Sequence, residues 1–430
     1  MSGDGGRLAC VRDALDHQRQ WFAATRERAA RGEPLVLVNA DAPQEIFRAM
    51  GIDYVVNQWW ASIIGAKQRS AAHLERLSAR GYPDGSEQYN ALGLASVLDP
   101  DPDGGPWGGL PRPSLAVAEN SGDTLRKVFD LWPLELDVPF YPLESAAEDT
   151  VPVNWWDLMP DRWEQCIGSA RIDLLVDELR GLIRHLETLT GRSLEMSRLR
   201  EVMALSNEHA EWNRRTRDLL ARTRPCPIPV NDVIPGVMVP QWHRGTEWAR
   251  DMARRLYDEV AGRIEAGHAV VADERLRLMW IGRGVWHDMS LYRRFEESHG
   301  AVFVWSMYLA LAADAYARYG PDPLRAVAAR FCAFHDQMYV PPWSGEWYVK
   351  EARGHGVDGV VHLVSPDSRN GWAATHALRT AGVPVLEIRM DNADAREYDA
   401  AAVQAQIAQW LDELKPLDGT SRQNGRRRSS

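Results

Sequence analysis

The residues best suited to acid–base chemistry or ligand binding follow an apolar segment in the second half of the chain. His287 comes shortly after residues 275–281, and an imidazole exchanges its proton near neutral pH, so it is a candidate general acid or base. A histidine that only hydrogen-bonds to a carbonyl is the ordinary alternative. Arg283 lies between two glycines and could meet a phosphate, although the third glycine of a dinucleotide-binding loop is missing. Trp286 could pack against a planar substrate or fill the core.

A second group of candidates follows the apolar segment 35–38. Glu45 begins a predicted helix, where a carboxylate could contact a substrate, as a catalytic group, or stabilise the positive end of the helix. Asn39 stands at the carboxyl end of the predicted strand and is a candidate for substrate binding. Ligands of open parallel sheets bind at this edge, so both groups are expected to face a cleft between two lobes.

The pattern of apolar segments predicts an α/β protein with two open parallel sheets of the flavodoxin or Rossmann type. Short apolar segments alternate with amphipathic ones in each half of the chain, which is typical of parallel strands joined by crossover helices. Strands are predicted at residues 35–38, 52–56, 115–119, 275–281, 301–305, 357–364 and 383–388. Helices are predicted at residues 12–31, 44–50, 290–298, 371–381 and 399–414.

A helical segment separates the two predicted lobes. Apolar residues recur every three or four positions in 168–190, 194–222 and 243–266, which predicts amphipathic helices. The proline-rich residues 224–240 are predicted as a break, and residues 133–163 as an irregular stretch. The expected divisions are an N-terminal lobe at 1–165, the helical segment at 166–265, a C-terminal lobe at 266–416 and a disordered tail at 417–430.

Composition argues against several classes of partner. The chain of 430 residues carries a net charge of −10, so a surface built for nucleic acid or an anionic membrane is not expected. No apolar run has the length of a signal-peptide core or a membrane span, and we therefore expect a cytoplasmic protein. The four cysteines are far apart in sequence and form no C-x-x-C pair, which argues against a disulfide framework or a compact zinc site.

An ordered set of segments resembles one protein family. The chain contains N-A-D-A-P-Q-E-I before a helix that ends in glycine, P-R-P-S-L at the start of a strand, G-A-V-F-V and D-G-V-V in later strands, and an acidic stretch before the last helix. These segments resemble the 2-hydroxyacyl-CoA dehydratase family, which includes the benzoyl-CoA reductase subunits. They are residues 39–51, 111–123, 300–304, 358–361 and 382–396, and the similarity covers most of residues 33–414.

The resemblance implies a subunit of an enzyme that acts on an acyl-CoA thioester. Members pair as two related subunits, and in the usual subunit three cysteines, one in each of three loops, hold a [4Fe–4S] cluster that passes one electron to the substrate. An ATP-dependent activator is a further partner that the resemblance suggests. The aligned positions in this chain are Glu87, Asp123 and Ser368, with Asp367 beside the last, and none is a cysteine. Their oxygen atoms suit a hard divalent metal and do not suit an iron–sulfur cluster.

Three functions remain open from the sequence. In the first, which we favour, this chain is the cluster-free half of a heterodimeric dehydratase or reductase, a lyase or oxidoreductase whose homologous partner carries the [4Fe–4S] cluster. In the second, the chain is a non-catalytic interaction or scaffold subunit. In the third, the aligned oxygen ligands hold a divalent metal that polarises a carbonyl substrate.

Overall fold

Two sheets of four parallel strands organise the chain, as the sequence predicts. The computed structural model describes residues 7–84, 87–120, 122–144, 146, 152–341, 343–365 and 371–414. The tail predicted at 417–430 lies outside these ranges. No helix in the described ranges has the length and apolar character needed to cross a membrane.

The N-terminal sheet has the strand order β2-β1-β3-β4. All residues of β1 and β3 are buried, and since successive side chains of a strand point to opposite faces, both faces of this sheet are covered. The strands are β1 (Leu35–Val38), β2 (Asp53–Val56), β3 (Leu115–Glu119) and β4 (Phe140–Leu143). The helices are α1 (Ala9–Ala30), α2 (Gln44–Ala49), α3 (Asn57–Ala66), α4 (Ser70–Ala79), α5 (Gln88–Val97), α6 (Asp123–Leu136) and α7 (Trp155–Leu158).

Four helices follow and connect the two lobes. The helix Met196–Arg222 packs against the helix Glu247–Glu265, against α2 of the first lobe and against the helix Met307–Asp314 of the second lobe. The helices are α8 (Ser169–Thr190), α9 (Met196–Arg222), α10 (Val230–Trp242) and α11 (Glu247–Glu265).

The C-terminal sheet repeats the strand order of the first, as β6-β5-β7-β8. In each sheet the first strand in sequence, β1 or β5, lies between the second and the third, so successive connections leave it in opposite directions. Such a switch point opens a crevice at the carboxyl ends of the strands. The strands are β5 (Leu276–Ile281), β6 (Ala301–Trp305), β7 (Gly359–Val364) and β8 (Val385–Arg389). The helices are α12 (Glu296–His299), α13 (Met307–Asp314), α14 (Pro323–Tyr339), α15 (Trp343–Gly354), α16 (Gly371–Thr380) and α17 (Ala400–Glu413).

Three local predictions are wrong. Residues 224–240 were predicted as a proline-rich break, but they contain most of the helix α10, with Pro235 and Pro240 inside it. The helix forms because its apolar residues are buried against α1, α11 and α13, and this burial outweighs its poor helix propensity. The irregular stretch at 133–163 contains β4, whose Pro142 is tolerated because β4 is an edge strand.

The third correction concerns the helix predicted at 290–298. A 3-10 turn at Met289–Arg293 and the short helix α12 replace it. Tyr292 is buried in this turn, and its hydroxyl accepts a hydrogen bond from the backbone N–H of Val285 at 3.1 Å. This contact ties the turn to the loop after β5.

Candidate functional site

A cavity of about 440 Å³ lies where the carboxyl ends of the two sheets face each other. Its walls come from the loop after β1, from α3 after β2, from the loop after β5 and from α13 after β6, and residues of α1, α5, α10 and α14 complete them. The volume falls within the range of small-molecule sites, and most of its lining is aromatic or aliphatic. The large apolar lining side chains include Trp59, Ile63, Ile234, Met238, Trp242, Trp286, Met307, Leu311, Phe334 and Met338.

The structure places two of the three predicted substrate-binding residues on this cavity. Arg283 and Trp286 both line it from the loop after β5. The Arg283 guanidinium carbon lies 5.0 Å from the ring centroid of Tyr89, so the cation is held over an aromatic face from the other lobe. Trp286 packs against α3, where a Cβ added to Gly65 would lie 3.0 Å from the Cβ of Trp286.

The third residue, Asn39, supports the cavity wall. Asn39 is buried, and its amide nitrogen donates to Asp41 Oδ1 at 2.8 Å. The amide of Gln58 donates to the Asn39 side-chain oxygen, and Gln58 and Asp41 both line the cavity. Asn39 therefore orients two polar groups of the site.

His287 lies next to the cavity lining, half-buried between the lobes. Its Nε2 donates to the carbonyl of Asp391 at 3.2 Å, and its own carbonyl accepts from the Gln68 amide at 2.8 Å. Burial lowers the pKa of His287, so the imidazole is neutral at neutral pH. This geometry matches the ordinary carbonyl-bonded alternative, and an acid–base role for His287 stays a prediction.

Glu45 is fully buried in a cluster of charges behind the cavity. The Arg244 Nε lies 2.7 Å and the Arg330 Nε lies 3.2 Å from Glu45 Oε1. Burial opposes ionisation of Glu45, but the two guanidinium charges outweigh it and lower the pKa of the carboxyl. Glu45 therefore serves here as a structural anion at the start of α2, and its catalytic role stays a prediction.

The most informative residues of the site were not among the sequence-based candidates. Tyr316 lines the cavity between α13 and α14, and its ring centroid lies 4.8 Å from the guanidinium carbon of Arg244 and 5.6 Å from that of Arg330. Gln241 lines the same cavity from α10. Neither residue stands in a recognisable motif, and α10 was predicted as a break, so only the folded chain reveals them.

The sequence model of the 2-hydroxyglutaryl-CoA dehydratase D-component matches residues 39–414, almost the whole described chain. The chain belongs to this D-component family. The match confirms the resemblance found in the ordered segments, and it includes the elements that form the cavity.

Three relatives that the chain resembles are alpha subunits of acyl-CoA dehydratases. The chain is 24% identical over 300 residues to the lactoyl-CoA dehydratase subunit alpha of Anaerotignum propionicum, covering 66% of this chain and 67% of the relative. It is 24% identical over 263 residues to the (R)-phenyllactyl-CoA dehydratase alpha subunit of Clostridium sporogenes, covering 60% of each. It is 20% identical over 307 residues to the (R)-2-hydroxyisocaproyl-CoA dehydratase alpha subunit of Clostridioides difficile, covering 69% of each.

Two of the three loops that the family resemblance assigns to cluster ligands meet in this D-component chain. Glu87 is buried at the start of α5, and it accepts hydrogen bonds from the Asn90 amide and, at 3.5 Å, from the Thr124 hydroxyl. Thr124 follows Asp123, the first residue of α6, whose side chain lies outside the described part of the chain. Asp367 and Ser368 also lie outside the described residues.

The donors of this D-component chain do not fit a [4Fe–4S] cluster. All four cysteines are buried, and burial raises the pKa of every thiol, to about 12 for Cys10, Cys226 and Cys332. Among the described residues, which include every cysteine, no three His, Cys, Asp or Glu side chains converge as metal ligands. Iron–sulfur clusters are held by thiolates, and these four thiols neither converge nor ionise readily.

Proposed function

We propose that this chain is the acyl-CoA-binding, cluster-free subunit of a 2-hydroxyacyl-CoA dehydratase or a benzoyl-CoA reductase-type enzyme. A homologous partner carries the [4Fe–4S] cluster, and an ATP-dependent activator supplies the electron. The observation that carries the proposal is the cavity of about 440 Å³ at the carboxyl ends of both sheets, in a chain of the D-component family.

The shape and chemistry of the cavity favour an acyl thioester with a bulky apolar acyl group. The lining includes Trp59, Trp242, Trp286 and Phe334, and a planar or branched acyl chain buries more apolar surface against them than an acetyl group does. Arg283 on the same lining offers a cation for a phosphate of the CoA moiety. The relatives named above act on lactoyl-, phenyllactyl- and 2-hydroxyisocaproyl-CoA, which are 2-hydroxyacyl thioesters.

The same observations weigh against the other two functions. A scaffold subunit has no need of an aromatic cavity between its lobes, whereas a substrate-binding subunit does. An oxygen-ligand metal site at Glu87, Asp123, Asp367 and Ser368 stays a prediction. The carboxylate of Glu87 already accepts hydrogen bonds from Asn90 and Thr124, which favours a structural role for it.

The proposal is tested by titrating the purified chain with benzoyl-CoA, acetyl-CoA and free CoA while its melting temperature is recorded. We expect benzoyl-CoA to raise the melting temperature most, because the stabilisation that a ligand of the native state provides grows with the logarithm of its affinity. Met238→Glu, which places a carboxylate in the apolar cavity, should abolish this rise.

The matched control is Met196→Glu, which changes a methionine that is 40% exposed at the start of α9. Met196→Glu should keep the full response to benzoyl-CoA. A chain whose melting temperature responds to none of the three ligands would favour the scaffold function. Stabilisation by Mn²⁺ or Fe²⁺ that Asp123→Ala removes would favour the metal enzyme.

A further inference from the structure

Tyr316 presents a hydroxyl group to the cavity without a partner in the protein. The residue is only 4% exposed and lines the cavity. Its hydroxyl makes no hydrogen bond to any residue that the structure describes. A donor that the described protein leaves without a partner is available to an acceptor on a ligand that enters the cavity.

Gln241 provides a second donor of the same kind. Its side-chain nitrogen is fully buried and has no hydrogen-bond partner in the described part of the chain, and the residue lines the same cavity. Arg244 connects the two residues, because its guanidinium contacts the ring of Tyr316 and donates to the backbone carbonyl of Gln241 at 3.4 Å. The cavity lining therefore includes two side chains whose donor groups have no partner among the described residues.

The charges behind Tyr316 favour a donor role for its hydroxyl. The guanidinium groups of Arg244 and Arg330 face the ring, and their positive charge strengthens hydrogen bonds from the phenol to an oxygen carrying negative charge, while the carboxylates of Glu45 and Asp41 partly offset it. Burial raises the pKa of Tyr316 although both arginines oppose this, so the hydroxyl stays protonated at neutral pH. Since Glu45 lies between the same arginines, it fixes their positions.

We propose that Tyr316, together with Gln241, donates a hydrogen bond to the carbonyl oxygen of the acyl thioester bound in this cavity. In an acyl-CoA whose acyl chain is apolar, this oxygen is the one strong acceptor that enters the apolar cavity with the acyl group. The inference rests on the proposed function and adds the residues that recognise the thioester itself. A hydrogen bond there also stabilises negative charge that develops on the carbonyl oxygen.

The test compares benzoyl-CoA with S-benzyl-CoA, a thioether that lacks the carbonyl oxygen, by calorimetric titration of the full chain. The wild-type chain should bind the thioester more tightly than the thioether. Tyr316→Phe keeps the ring between its two arginines and removes only the hydroxyl, so it should weaken thioester binding by about 3- to 10-fold and leave thioether binding unchanged. Gln241→Leu should act in the same direction, and it provides a second variant if the first folds poorly.

The matched control is Tyr89→Phe. Tyr89 is a buried tyrosine of the same cavity, but its hydroxyl already donates to the carbonyl of Gln58 at 2.6 Å, so its removal should leave the preference for the thioester unchanged. If Tyr316→Phe and Gln241→Leu both keep the wild-type preference, the assignment is wrong while the proposed function stands. If the wild-type chain binds neither ligand, the proposed function fails and the assignment fails with it.

Discussion

Glu119 and His335 form a buried ion pair at the carboxyl end of β3, close to the cavity but outside its lining. The Nδ1 of His335 lies 2.6 Å from Glu119 Oε1. The neighbouring Asp336 points elsewhere and forms a bidentate pair with Arg171, at 2.6 and 2.9 Å. Adjacent helical residues do not share a face, and His335 and Asp336 accordingly contact different partners.

This ion pair makes stability depend on pH. Burial disfavours the imidazolium of His335, but the negative charge of Glu119 outweighs it and raises the pKa. A raised pKa in the folded state means that the stabilisation is complete below the unfolded pKa of about 6.5 and is lost as the pH rises through the folded value. His335→Gln should therefore lower the free energy of unfolding by about 3–5 kcal/mol at pH 6, and by much less at pH 9.

Denaturant unfolding at both pH values measures this difference. His299→Gln is the control, because His299 pairs with Asp412, whose side chain is 75% exposed, and solvent screens such a pair. An equal cost of His335→Gln at pH 6 and pH 9 would show that the pair carries no charge.

At this scale the sequence predicted Arg283 and Trp286 because they follow a recognisable strand. It missed the partners Glu119 and His335, which lie 216 positions apart, and Tyr316, which stands in no motif.

At the scale of single elements, seven of the eight described strands were predictable from the sequence, and the edge strand β4 was not. β1, β3 and β6 are short apolar segments that the sequence marks clearly. The edge strand β4 contains a proline and has little apolar alternation, and α10 is stabilised by its neighbours against its own propensity. Tertiary contacts decide such elements, and a single sequence does not show them.

The contact between α3 and the loop after β5 can be tested with two helical glycines. Alanine normally gains about 0.5–1 kcal/mol over glycine inside a helix. Gly262→Ala in α11 should realise this gain, because nothing lies within 4 Å of the added Cβ. Gly65→Ala in α3 should not stabilise the protein, because the added Cβ would lie 3.0 Å from the Cβ of Trp286.

Chemical denaturation and a titration with benzoyl-CoA together measure the outcome. Gly65→Ala should also weaken benzoyl-CoA binding, since Trp286 lines the cavity and must shift to accommodate the methyl group. Equal stabilisation by the two substitutions, with unchanged ligand affinity, would show that α3 and the loop after β5 do not pack as closely as described.

At the scale of the whole molecule, the two lobes share one sheet topology. Both sheets have the same strand order, and the carboxyl ends of both border one cavity. The alternation of apolar strands and amphipathic helices predicted the two parallel sheets from the sequence. A cleft between the lobes was expected from the sequence, but the residues of its walls could not be predicted, because they come from eight separate parts of the chain between residues 7 and 339.

The central claim is that this subunit binds the acyl thioester while the partner holds the iron–sulfur cluster. Its most direct test is anaerobic co-expression with a cluster-bearing homologue, separation of the two chains, and analysis of iron and acid-labile sulfide on each. We expect about four irons and four sulfides on the partner and substoichiometric amounts on this chain. A full complement of iron and sulfide on this chain, purified alone, would show that this subunit holds a cluster of its own.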